Sequence, residues 1–326
     1  MYKLLEGIDS ISLNFSAGGL LYMNITLAAI MFGVALEIKV VNFKTLFRYP
    51  KSALLGIFSQ FILLPALTFS LVLLLKPPAS VAMGMILIAA CPGGNVSNFI
   101  SSLAKANIEL SVSLTAFATL MATLITPLNF AFWGGLYVKL NSAAMGLDQP
   151  LEIGILQTAK IVFILLGIPL ILGMLFSHYF PKTTKKILKT VKISSLVLYA
   201  TFIFGALFAN LEHFPGYIWP IALMVLFLNS QTLFTGYLVG TIGRVPIRDR
   251  RTLTIETGIQ NSGLALALIL NDEILKNYGG MAFMAAWWGI WQMLSGLGIA
   301  WGLSRIKVIE TARASFRRKR SRGLIT

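Results

Sequence analysis

The sequence predicts an all-α polytopic membrane protein of nine transmembrane helices, built as an inverted repeat in which two helices are broken. Three observations predict it. Of the 326 residues 56% are hydrophobic and 12% charged, with a mean hydropathy of +0.79, whereas about a quarter of a soluble domain is charged. The apolar residues fall in runs of roughly 20, each long enough to cross a ~30 Å hydrocarbon core as a helix. The runs lack the period-two alternation of a membrane β-barrel, so helices must satisfy the backbone in lipid.

The elements follow in order. Residues 1–19 read as a retained outer segment, because Glu6, Asp9 and Asn14 interrupt the apolar stretch that a signal peptide requires. Asn14-Phe15-Ser16 forms a glycosylation sequon there. Charged residues, prolines and glycines then bound spans at about 20–38, 53–75, 80–106, 108–138, 153–179, 194–211, 218–240, 252–275 and 281–304. The domain organisation is a first repeat of four spans over 20–138, a second of five over 139–304, and a basic tail over 305–326.

Alternate numbering of the loops puts 22 of the 27 basic residues on one side of the membrane. They include Lys44, Arg48, Lys105, Lys182, Arg248 and the tail, and the positive-inside rule makes that side cytoplasmic. The N-terminus is therefore expected outside and the C-terminus inside, in the cytoplasmic or plasma membrane (the inner membrane of a bacterium). The net charge of +15 reflects this asymmetry and not a nucleic-acid partner. Arg317-Arg318-Lys319-Arg320 suits anionic lipid head groups. Cys91, the one cysteine, excludes an intrachain disulfide and any multi-cysteine metal centre.

Phe32-Gly33 with Ala35-Leu36 returns as Phe204-Gly205-Ala206-Leu207, Ser59-Gln60 returns as Ser230-Gln231, and the polar break around Asn98 returns around Asn261. Equivalent spans lie five apart. Five is odd, so the copies cross the membrane in opposite senses, as in the inverted repeats of secondary transporters. The first copy lacks its opening helix.

Span three carries Cys91-Pro92-Gly93-Gly94-Asn95-Val96-Ser97-Asn98, and span eight carries Glu256-Thr257-Gly258-Ile259-Gln260-Asn261-Ser262-Gly263. Proline and glycine release the backbone in both, and unwound backbone at that depth is tolerated only against protein or a water-filled cavity. Glu256 reads as the sole carboxylate well inside a span, the other acids falling at span ends, in loops or in tails, which makes it a functional residue. His178 and His213 lie near opposite membrane faces and no cluster of nucleophile and base accompanies them, so the chain does not read as an enzyme. A lone carboxylate suits paired-acid proton exchange poorly. With oxygens from Ser97, Asn98, Ser111, Thr115, Gln60 and Gln260 it suits a hard cation, which selects oxygen ligands.

Cys-Pro-Gly-Gly at 91–94 with Ser97-Asn98, and Leu253-Thr254-Ile255-Glu256-Thr257-Gly258-Ile259-Gln260-Asn261-Ser262-Gly263-Leu264-Ala265, closely resemble the bile acid:sodium symporter family. The resemblance runs from about Ile25 to Arg305. It implies a core domain of crossed, broken helices beside a panel domain, and two sodium positions with no organic cofactor. One sodium would be held by Ser97, Asn98, Ser111, Thr115 and Glu256, the other by Gln60, Glu256, Gln260 and the carbonyls of Thr257 and Ile259. An organic anion would sit by Asn95, Val96, Asn261 and Ser262, where helix N-termini offer positive dipoles, with Gln292 nearby. Asn95 and Gln292 depart from the residues common in relatives. The implied function is sodium-coupled import of a bile acid, sulfated steroid or small carboxylate. The alternatives are a proton-coupled carrier on the same scaffold, or an anion-binding receptor or channel without coupling.

Overall fold

A computed structural model describes residues 5, 7–8, 17–38, 40–145, 160, 162–209, 214–269 and 279–321. The described residues are helical almost throughout, and their only β-type pairing is an isolated antiparallel bridge between Gly93 and Gln260. Asn14, His213, most of the N-terminal segment, the start of the fifth expected span and the last five residues lie outside the described residues.

Helix α1 covers Ala17–Ala35, and α2 covers Val40–Arg48 within what the sequence predicts as a loop. Phe43 and Leu46 of α2 pack inward, while Phe47 (85% exposed), Lys44 and Arg48 face outward. This is the pattern of a helix lying at a membrane surface. Its charges sit between apolar positions and mask the helical period.

Helix α3 (Pro50–Phe58), a π-helical turn at Ser59–Leu63 and α4 (Leu64–Leu75) form one continuous span. Pro65 explains the widened turn: it has no N–H to offer the carbonyl of Phe61. That carbonyl instead accepts a 2.9 Å hydrogen bond from Asn129 Nδ2. The turn also carries Ser59 and Gln60 into the interior, where both are buried. A second π-helical turn, Phe163–Gly167, stands the same distance ahead of Pro169 and leads into α8 (Ile168–Tyr179).

The two breaks fall where the prolines and glycines predict. Helix α5 (Ala79–Ala90) stops at Cys91, and the chain runs extended before α6 (Asn95–Leu103). Helix α11 (Ile247–Gly258) stops at Ile259, which is extended, and α12 (Ser262–Ile269) resumes beyond. Between them lie α7 (Ile108–Met145), α9 (Pro181–Ala209) and α10 (Phe214–Ile242); α13 (Gly279–Ser321) closes the fold. Helix α9 begins at Pro181, so Lys182–Lys192 ride on a helix and not a loop. Helix α13 likewise continues through the basic tail to Ser321. Arg305 stacks over the Trp301 ring at 3.9 Å where its apolar part ends.

Among the described residues, Pro50–Leu75, Ile108–Asn141 and Gly216–Ile242 are long and apolar enough to cross a membrane, with shorter apolar helices at Asn24–Ala35, Ala79–Ala90 and Phe163–Tyr179. The helices pack as two groups. Helix α1 lies against α8 and α9, while α3 to α7 and α10 to α13 pack chiefly on one another around both breaks. Contacts of α1 with α12, and of α7 with the second π turn, join the groups. Trp288 is fully buried and Trp287 and Trp291 pack against the main apolar core, so this cluster serves packing.

Candidate functional site

The breaks meet each other through their backbones. Gly93 pairs with Gln260, and Asn261 N donates to the carbonyl of Pro92 at 2.8 Å. Four helix ends converge on this bridge: the C-terminal ends of α5 and α11 and the N-terminal ends of α6 and α12. Carbonyl-rich and N–H-rich ends thus share one locus, which can receive a cation and an anion side by side. Gly93 is required by this close approach. A Cβ there would lie 2.9 Å from Gln60 Nε2, 3.1 Å from the Glu256 carbonyl oxygen and 3.2 Å from that of Ile259.

Glu256 stands in the last turn of α11 with its side chain buried, 2% exposed. Ser97 Oγ and Ser111 Oγ donate to Oε1 at 2.7 and 2.5 Å, and Thr115 Oγ1 donates to Oε2 at 3.0 Å. Asn98 Oδ1 lies 2.9 Å from Ser111 Oγ and 3.1 Å from Thr115 Oγ1. Ser97 Oγ is also 2.7 Å from the Gly94 carbonyl and 3.3 Å from Thr115 Oγ1. Each hydroxyl has a single proton, so three protons serve seven oxygen–oxygen contacts. The carboxylate has only neutral hydrogen-bond partners, and burying an unbalanced charge is costly. An oxygen-rich, proton-poor cluster around one negative charge is a chemical fit for a small hard cation. Ser111 and Thr115 reach it together because residues four apart share a helix face.

A second group surrounds the bridge. Gln60 Nε2 donates to the Glu256 carbonyl at 3.4 Å, and Gln260 Nε2 donates to the Thr257 carbonyl at 2.8 Å. Gln260 Oε1 is buried and accepts no hydrogen bond among the described residues. Ser59 and Thr257 pair through their hydroxyls at 2.9 Å. The structure therefore brings together Gln60, Gln260 and the carbonyls of Glu256 and Ile259, with the Glu256 carboxylate directed to the first group.

The residues expected near an anion are placed differently from one another. Asn95 opens α6, and Val96, half-buried, packs against the small apolar cluster that includes Ile100, Ile255 and Ile259. Asn261 Oδ1 accepts from Leu264 N at 3.1 Å and so caps α12. Gln292 is 3% exposed: its Oε1 accepts from Gln260 N at 3.0 Å and its Nε2 donates to Ser262 Oγ at 3.2 Å. It stitches the second break across three residues, Gln260 to Ser262. Gln292→Leu strands the Gln260 N–H, and a buried donor without a partner costs about 1–3 kcal/mol. A lower unfolding temperature in detergent, of a few degrees, is the expected measurement.

Sequence reasoning missed Asp249. It reads there as a loop residue at a span boundary, but in α11 it is 4% exposed and accepts from Ser52 Oγ (2.6 Å) and Asn107 Nδ2 (2.8 Å). Its position seven residues before Glu256, hence on the same helix face, was the available sign.

The sodium bile acid symporter family profile matches residues 24–215. An uncharacterized sodium-dependent transporter of Bacillus subtilis, YocS, is 29% identical over 279 residues, covering 86% of this chain and 82% of its own. The human P3 protein is 31% identical over 288 residues (86% and 58%), and a probable chloroplastic sodium/metabolite cotransporter of Oryza sativa, BASS1, is 29% identical over 238 residues (73% and 55%). The chain thus spans little more than half the length of the last two.

Proposed function

The chain belongs to the sodium bile acid symporter family, whose members are membrane transporters and not enzymes, and from that premise we propose that it imports an organic anion on a sodium gradient. The reading assigns nine spans in two inverted halves, 20–138 and 139–304, flanked by an outer segment 1–19 and a cytoplasmic basic tail 305–326 that meets anionic lipid. One sodium is bound by Ser97, Asn98, Ser111, Thr115 and Glu256, and a second by Gln60, Glu256, Gln260 and the carbonyls of Thr257 and Ile259, so that the one carboxylate serves both. The anion, a bile acid, sulfated steroid or small carboxylate, binds by Asn95, Val96, Asn261 and Ser262, with Gln292 holding the break beneath it.

The observation that carries the proposal is the buried Glu256 carboxylate among hydroxyl and amide oxygens with too few protons to satisfy them. Two sodium ions, one glutamate and one monoanion sum to zero charge, and a neutral load crosses low dielectric far more readily than an unbalanced one. Sodium draws together α6, α7 and α11, and the breaks next to α6 and α11 also frame the anion site, so each ligand raises affinity for the other. The group of α1, α8 and α9 then acts as the panel against which the crossed core rocks.

Thermal unfolding of purified protein in sodium against potassium at equal ionic strength tests this directly. A sodium-specific rise is expected, because a ligand bound only by the folded state adds apparent stability. Uptake into proteoliposomes should then require an inward sodium gradient. Uptake driven by acid pH without sodium would replace this reading with a proton-coupled carrier.

A further inference from the structure

At the end of the bundle where α3, α7 and α11 begin, one buried carboxylate joins all three. Asp249 on α11 accepts from Ser52 Oγ of α3 at 2.6 Å and from Asn107 Nδ2 of the α6–α7 turn at 2.8 Å. Asn107 is itself fully engaged. Its Oδ1 caps α7 through Leu110 N at 3.2 Å, its N–H reaches Thr252 Oγ1 at 3.0 Å, and its carbonyl accepts from that same hydroxyl at 3.0 Å. Arg251 Nη1 adds a bond to the Ala104 carbonyl at 3.1 Å, across the same turn. These contacts border an open cleft of about 580 Å³ lined by Tyr49, Asn107, Glu109, Arg248 and Asp249.

Every element that carries a cation-cluster residue is held here. Helix α3 leads to Gln60, eight residues past Ser52; α6 carries Ser97 and Asn98; α7 carries Ser111 and Thr115, four and eight past Asn107; α11 carries Glu256, seven past Asp249. The latch and the cluster lie one to two turns apart along the same helices. A shift of α7 or α11 along its axis at the latch is carried rigidly to the oxygens around Glu256.

We infer that Asp249 is a positioning residue for the cation site: it never touches the ion, but it sets the axial register of α3, α7 and α11 that brings Gln60 beside the break and the oxygens of Ser111 and Thr115 onto Glu256. The inference rests on the sodium-coupled reading above. Groups hydrogen-bonded directly to metal ligands change affinity about 10- to 100-fold when removed, and Asp249 acts one step further back, through the register of the helices that carry the ligands. Asp249→Asn sets an amide against the Asn107 amide and loses the charged acceptor. The exchange Asp249→Asn/Asn107→Asp rebuilds the pair with its donor and acceptor reversed, and aspartate keeps the cap on α7.

The test is sodium titration of the unfolding temperature of the full-length protein in detergent at constant ionic strength, with potassium as the balancing ion. Asp249→Asn should raise the sodium concentration for half-maximal stabilisation severalfold, up to about tenfold, the lower end of the range for direct partners of metal ligands, and the exchange should return it towards the wild-type value. Ser52→Ala, which removes one donor to Asp249, should shift it in the same direction by less, and carries the test if Asp249→Asn does not fold. Leu110→Ala, a buried truncation in the same region, controls for destabilisation alone. An unchanged midpoint in Asp249→Asn or in Ser52→Ala overturns the inference, as does a shift in Leu110→Ala of equal size. Failure of the exchange to restore the midpoint overturns it too. Absence of any sodium response in the wild type removes the transport reading instead, and this inference with it.

Discussion

Glu256→Gln should lose the sodium response altogether while still folding. The replacement is isosteric and keeps an oxygen for the neighbouring hydroxyls, so the crossing of the breaks persists. It removes the one negative charge in a cluster whose other contributors, Ser97, Asn98, Ser111 and Thr115, are neutral. At sodium a hundredfold above its dissociation constant, the wild type should gain about 2.7 kcal/mol of apparent stability. The variant should gain none, and sodium-driven uptake should fall by about two orders of magnitude, the upper range for loss of ligand support at a metal site. Glu109→Gln is the informative contrast. Glu109 pairs with Arg48 at 3.6 Å on the exposed surface, and such pairs contribute about 0–1 kcal/mol. Its loss should leave the sodium response unchanged. If Glu256→Gln retains a wild-type sodium shift, the cation does not bind at this cluster.

Gly236→Ala should destabilise the protein by about 3 kcal/mol or more, the range reserved for overpacking that no rotamer can relieve. Helices α10 and α11 approach so closely that a Cβ on Gly236 would lie 2.3 Å from the Leu253 carbonyl oxygen and 2.8 Å from Thr254 Cα. Both atoms are backbone, so the helices themselves must part. Gly236 and Gly240 form a small-xxx-small pair of the kind that lets membrane helices touch. Gly240→Ala should cost less, since its Cβ first meets the flexible Arg250 Cγ at 2.9 Å. Gly298→Ala meets nothing within 4 Å and should be neutral or stabilising by up to about 1 kcal/mol. The order of the three unfolding temperatures is the measurement. Leu253 precedes Glu256 by less than one turn, so Gly236→Ala should also weaken sodium stabilisation.

The breaks were legible because Pro92, Gly93, Gly94 and Gly258 act through local backbone chemistry, which sequence carries directly. The composition of the cluster was legible for a related reason: a carboxylate deep in an apolar run has few uses, and Ser111 and Thr115 announce a shared face by their spacing. Helix α2 was hidden because its packing residues alternate with Lys44 and Arg48, so that a surface helix reads as a charged loop. Asp249 was hidden by its neighbours. Arg248, Arg250 and Arg251 mark a membrane boundary, and only tertiary packing against Ser52 and Asn107 buries the acid among them. The role of Gln292 was equally non-local, because its two partners lie about 30 residues away in the chain.

The bridge between Gly93 and Gln260 has a bearing on how such a chain diversifies. Main-chain N–H and carbonyl groups form the crossing, and they are present whatever side chains mutation supplies. The geometry of the junction is thus inherited almost independently of the residues that surround it, provided that glycine persists at 93. Under the proposed reading, Asn95 and Val96 can drift with a new cargo while the carboxylate and its hydroxyls keep the same fuel. Lineages built on this junction are free to exchange what they carry before they exchange what drives them.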